Sequence, residues 1–137
     1  MTPKEVAVKV AWHYLGTPYR WGGDDFSSFD CSGFVIECLK SAGILPRKGD
    51  WTASGLYQLF HKDYWQGKEI EPGCLVFYGN PKIIHVELCL DDTFSIGASG
   101  GGSKTLTTAD AIHQNAYIKV RPFRTRNDIH GFADPFA

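Results

Sequence analysis

The chain has 137 residues, with 14 lysines and arginines set against 15 aspartates and glutamates. That length suits one domain able to bury roughly two-thirds of its unfolded surface around a single core. The near cancellation of charge, without a long run of either sign, excludes the electrostatic footprint of a nucleic-acid binder. The opening MTPKEVAVKVAW lacks the apolar run and small-residue cleavage site of a secretory signal, and no segment approaches the length that spans a bilayer. The expectation is a protein that is cytoplasmic as synthesised and does not insert into membranes. Aromatic residues make up 14% of the chain. Trp12, Trp21, Trp51 and Trp65 are assigned mainly to the core, with groove lining as the alternative.

Val6, Val10 and Tyr14 recur at helical spacing behind Thr2-Pro3, where threonine caps and proline occupies the first turn. This predicts a helix to about Leu15, stopped by Gly16. The segment GTPYRWGGDDFSSFD, rich in Gly, Pro, Asp and Ser, reads as a loop. Asp30 then caps a second helix from Cys31 to Ala42, with Phe34, Val35, Cys38 and Leu39 on one stripe and Gly43 as its left-handed stop. Thr52 caps a shorter third helix through Leu56 and Leu59 to Phe60, and GKEIEPG makes a turn. Four runs follow, CLVFYG, HVELCLD, TFSIGA and YIKVRPF, each short, β-branched or aromatic and bounded by turn residues, and they read as strands. Helices followed by antiparallel strands define an α+β domain, with the helices packed on one face of a central sheet. No repeat or boundary divides residues 1–137. The SGGGS patch, Ser99 to Ser103, lacks the pattern and following helix of a phosphate cradle and is read as a mobile rim loop.

Four cysteines are too few and too unpatterned for a disulfide framework. Cys31 and Cys38, sharing a helix, stand about 10 Å apart along its axis, beyond disulfide reach. Free thiols are expected, and no CxxC or HxxxH spacing suggests zinc. Cys31 is unusual, since Asp30, Ser32 and Gly33 surround it where a packing cysteine has apolar neighbours. At a helix start, unpaired N–H groups and the positive dipole end favour a thiolate, so its pKa is expected below the free value of about 8.5. The same N–H groups point where an oxyanion would form. Such a nucleophile needs a base. His85 opens the strand HVELCLD, with Val86, Leu88 and Leu90 facing the core and His85, Glu87 and Cys89 on the other face. A strand histidine can abut a helix N-terminus, as cysteine catalysis requires. His13 and His61 lie in helical stretches, and His113 and His130 lie near loops without a motif.

In order and spacing, TPYRWGG, FDCSGFV, PGCLVFY, HVELCL and SIGAS resemble the NlpC/P60 superfamily of papain-like cysteine peptidases, over about Thr17 to Ala98. The resemblance implies Cys31 as nucleophile, His85 as general base and Tyr19 as a hydroxyl donor beside the site. It also implies that Asp30 and Ser32 bind the free amino end of a substrate. Family members cleave peptidoglycan stem peptides, typically between D-γ-glutamyl and meso-diaminopimelate or lysine, and use no metal or organic cofactor. The implied partner is therefore a stem peptide or muropeptide, bound by a monomer. Without a signal or wall-binding module, the domain fits a phage or prophage product delivered by a holin or tail, or an enzyme of recycled muropeptides.

Two departures stand out. The family places a polar residue that orients the imidazole about a dozen residues after the histidine, on the next strand, and Gly97 stands there. A backbone carbonyl, a water, Ser95, Ser99 or Glu87 is left to orient the imidazole. Glu87 is disfavoured because two residues along a strand span about 7 Å. Cys74 replaces an aspartate after Pro-Gly and is read as structural. A non-catalytic wall-fragment binding module and a thiol amidase or acyltransferase on another substrate are the alternatives.

Overall fold

The computed structural model describes residues 1–22, 24–25, 28–61, 69–102 and 104–137. Trp65 and the start of the GKEIEPG turn fall outside the described residues, as do Gly23, Phe26 and Ser27 of the predicted loop and Ser103 of SGGGS.

Helix α1 (Pro3–His13) begins as expected: the Thr2 hydroxyl accepts from the Glu5 amide at 3.2 Å, and Pro3 sits in the first turn. It ends two residues earlier than predicted. Gly16, at φ 86°, then turns the chain so that its N–H reaches the Ile118 carbonyl at 2.8 Å. The fully buried face of α1 is Ala7 and Ala11, with Val10 and Tyr14 flanking it. Trp12 falls outside that face and is exposed. Trp21 is likewise exposed and Trp51 is only partly buried against the core, so the aromatic residues at its centre are Phe34, Phe77 and Tyr19 rather than the described tryptophans, correcting the assignment of most tryptophans to it.

A two-residue hairpin, β1 (Asp24–Asp25) with β2 (Ser28–Phe29), occupies part of the predicted loop. Helix α2 (Cys31–Ser41) follows, then α3 (Ala53–Phe60), capped by the Thr52 hydroxyl on the Gly55 amide at 3.0 Å. The four predicted strands are β3 (Leu75–Tyr78), β4 (His85–Cys89), β5 (Phe94–Ser99) and β6 (Tyr117–Pro122). Helix α4 (Thr108–His113) and strand β7 (Ile129–Ala133) escaped the sequence reading, so His113 ends a helix and His130 lies in a strand, not in loops. The sheet is antiparallel throughout, in the order β6-β5-β4-β3-β7.

Phe34, Val35, Ile36 and Leu39 of α2 share one apolar cluster with Val86 and Leu88 of β4 and Ile96 and Ala98 of β5. Each large side chain buried there contributes about 1.5–3 kcal/mol. A smaller cluster of Cys74, Val76, Tyr78, Cys89 and Phe123 lies apart from it. Its members alternate along β3 and β4 with Leu75, Phe77, Val86 and Leu88 of the main core, so both sheet faces are covered and every residue of β4 is buried. Cys74 is thus a packing residue, as expected. The helix-and-antiparallel-sheet layout is the α+β architecture read from sequence. Among the described residues, no helix is long and apolar enough to cross a membrane.

Candidate active site

Cys31 is the first residue of α2, half-buried at the helix mouth. The preceding residue, Asp30, is the cap: its carboxylate accepts from the Gly33 amide at 2.7 Å and from the Ser32 hydroxyl at 3.4 Å. One short stretch therefore starts the helix, satisfies an amide that would otherwise be unpaired, and points the thiol outward. Burial pushes the Asp30 carboxyl up from its ordinary range, and the Gly33 amide opposes this.

His85 opens β4 opposite Tyr78 of β3, with the two ring centroids 5.5 Å apart. The Cys31 thiol lies beside this imidazole, close enough to raise its pKa. Its Nε2 lies 2.7 Å from Glu87 Oε2, which leaves Nδ1 for the sulfur. Burial alone would lower the His85 pKa, but the neighbouring Cys31 and Glu87 outweigh it and raise the pKa to about 9. Burial would likewise raise the Glu87 pKa, yet His85 and the Arg121 guanidinium hold that carboxyl well below its usual range.

The structure corrects the sequence reading at Glu87. Seven ångströms is a backbone interval, and the glutamate side chain spans it. Ser95 donates to Oε1 at 2.6 Å, and Arg121 Nη2 donates to Oε2 at 2.7 Å, so the fully buried carboxylate is fixed beside the imidazole. Gly97 makes this possible: a Cβ added there would lie 2.5 Å from Glu87 Cγ and 2.9 Å from its Cδ. Ser95 thus binds the glutamate instead of the histidine. The available signal was the two-residue period that puts His85 and Glu87 on one face, read together with a glycine on the next strand.

Cys31, Asp30 and Ser32 line a groove of about 530 Å³ together with Tyr19, Trp21, Ser54, Lys82 and Ile84. Tyr19 is nearly buried, and its ring lies so close over Gly101 that no side chain fits at that position. Burial, together with Cys31 and Asp30 nearby, pushes the Tyr19 hydroxyl far above its ordinary range, which keeps it a donor. The structure thus gathers Cys31, His85, Tyr19, Asp30 and Ser32 at one place. Trp21, for which groove lining is the alternative reading from sequence, forms part of the groove wall. His13, His61, His113 and His130 stand elsewhere, with His61 stacked on Tyr57 at 4.6 Å. Among the described residues, no group of three His, Cys, Asp or Glu side chains is arranged to hold a metal.

The profile of the NlpC/P60 family matches residues 16–122. The chain is 37% identical over 113 residues to a "Probable endopeptidase p60" of Listeria seeligeri, an alignment covering 80% of this chain and 20% of that relative. Among solved structures, an NlpC/P60 family protein from Bacillus cereus ATCC 10987 superposes with a TM-score of 0.75 at 20% identity, over 98% of this chain and 40% of that one. The peptidoglycan hydrolase RipB of Mycobacterium tuberculosis superposes with a TM-score of 0.65 at 25% identity, over 96% of this chain and 63% of that one. The chain thus spans about a fifth of the length of the curated relative. Motif order, fold and profile agree, and the chain belongs to the NlpC/P60 family.

Proposed function

We propose that this domain is a cysteine endopeptidase that hydrolyses an amide bond in peptidoglycan stem peptides. The observation that carries the reading is the Cys31 thiol, at an open helix N-terminus inside a groove and beside a buried histidine that Glu87 holds. His85 accepts the Cys31 proton, and the sulfur attacks the scissile carbonyl carbon. The resulting oxyanion is stabilised by N–H groups at the start of α2 and by the Tyr19 hydroxyl. Collapse breaks the C–N bond, and the leaving amine takes the proton from His85. A water molecule then gives its proton to His85 and attacks the thioester, releasing the acid and restoring the thiol. Asp30 and Ser32, on the groove wall beside Cys31, bind the free amino end of the peptide. The bond is that between D-γ-glutamyl and the diamino acid, in keeping with the family resemblance.

The binding-module alternative rested on a lost orienting residue, and Glu87 on the imidazole removes that motive. The test is purified protein on defined muropeptides, with products followed by mass spectrometry. Wild type should release the γ-glutamyl fragment and Cys31→Ala should release none, with unchanged circular dichroism. Turnover that survives in Cys31→Ala rejects the mechanism. Equal turnover of substrates lacking the γ-linked D-residue rejects the substrate assignment in favour of a general thiol amidase.

A further inference from the structure

We infer that Glu87 is the positioning residue for His85, supplied from the histidine's own strand through the space that Gly97 leaves on the neighbouring one. The inference rests on the peptidase reading for its kinetic consequences, but its geometry stands independently. Antiparallel register sets Leu88 opposite Ile96, Ser95 opposite Arg121 and Gly97 opposite Lys119. The two-residue period then puts His85, Glu87, Ser95, Gly97 and Arg121 on one face of three adjacent strands.

On that face the Glu87 carboxylate is held from three directions. Oε1 accepts from Ser95 at 2.6 Å, and Oε2 takes both Arg121 Nη2 and His85 Nε2 at 2.7 Å. A side chain so constrained, with no exposure to solvent, keeps the imidazole in one orientation and presents its other nitrogen to Cys31. Gly97 is the second half of the device. Because an added Cβ would lie 2.5 Å from Glu87 Cγ, a side chain at position 97 and the glutamate at position 87 exclude each other in this arrangement. The orienting group therefore comes either from β5 or from β4, and this chain takes it from β4 as a carboxylate.

The charge matters as well as the place. A buried carboxylate favours the imidazolium, the partner of a thiolate. The groups that face or reach His85 are Cys31 from α2, Tyr78 from β3, Glu87 on β4, Arg121 from β6 through Glu87, and Asp128 ahead of β7. Only Glu87 joins a negative charge to a direct hydrogen bond on Nε2.

The experiment compares wild type, Glu87→Gln, Glu87→Ala, Gly97→Asn and the double variant Glu87→Ala/Gly97→Asn. Three readouts are taken: kcat and KM on muropeptides, the rate of Cys31 alkylation by iodoacetamide at pH 7, and the His85 titration by NMR. Glu87→Ala is expected to lower kcat by about 100- to 10,000-fold with little change in KM. It should also slow alkylation and move the His85 titration down. Glu87→Gln, which keeps the volume, should do the same to a smaller degree and carries the test if the alanine variant does not fold. Gly97→Asn alone should impair the site by displacing Glu87. In the Glu87→Ala background the same substitution should recover at least about tenfold in kcat, by placing an orienting amide on β5.

A purely structural glutamate would lower thermal stability while leaving alkylation, the His85 titration and kcat of the folded protein unchanged, and that result overturns the inference. If wild type cleaves no muropeptide, alkylation and NMR decide: dependence on Glu87 upholds the positioning role and rejects only the peptidase reading, whereas independence rejects the positioning role.

Discussion

The fit between Glu87 and Gly97 can be measured as a coupling energy. In Gly97→Ala, the new methyl would sit 2.5 Å from Glu87 Cγ, where ordinary contact begins at 3.4 Å. Glu87 would have to retreat by about 1 Å, and hydrogen bonds of 2.6–2.7 Å to Ser95, Arg121 and His85 would stretch past useful range. Overpacking of this kind costs about 1–3 kcal/mol. Against it stands a gain of about 0.4–1 kcal/mol from the stiffer unfolded chain, since Gly97 has no positive φ to protect. The expected net loss is about 1.3 kcal/mol, or roughly 4–8 °C in Tm for a domain of this size. In a Glu87→Ala background the methyl has room and only the favourable contribution remains, so Gly97→Ala there should be neutral or slightly stabilising. Thermal melts of the four proteins at pH 7 give the coupling directly. Equal effects of Gly97→Ala in both backgrounds would refute the steric argument.

Two further outcomes follow from the same geometry. Glu87 is held below its ordinary pKa of 4.5, so its contribution to stability is present above that pH and is lost as pH falls toward about 2. The His85 pKa is raised from 6.5 to about 9, so its contribution is complete below pH 6.5 and is lost as pH rises through 9. The Tm deficit of Glu87→Gln relative to wild type should therefore be largest between pH 4.5 and 6.5. It should shrink toward pH 2 and again above pH 9, where Arg121 alone sustains it; a deficit flat across this range contradicts the ion pair. Asp30 combines a cap with a proposed amine contact, and two substitutions separate them. Asp30→Ala should cost about 1 kcal/mol of stability through the lost cap. Asp30→Asn keeps the cap, so its Tm should stay near wild type while KM for muropeptides rises; an unchanged KM removes Asp30 from the substrate contact.

Much of the site lay open to sequence reading because it is built from local rules. A helix start announces itself by its cap, and Asp30 put Cys31 at the helix mouth without any tertiary information. Periodicity located β4 and set His85 and Glu87 on its second face. Local rules fail where several segments decide together. Strand β7, IHGFA, has a glycine in its middle and shows as a strand only when paired with β3. Helix α4 has six residues, and its capping box, Thr107 with Asp110, was its one legible signal.

The sequence by itself determined the family, the order of helices and strands, and a thiol at a helix N-terminus with a histidine on a strand. Only the tertiary structure decided what orients that histidine. An absent side chain at Gly97 reads as a lost function in one dimension. In three it is the volume that Glu87 occupies, because the antiparallel register brings β5 alongside β4 and Arg121 of β6 within reach of the buried carboxylate.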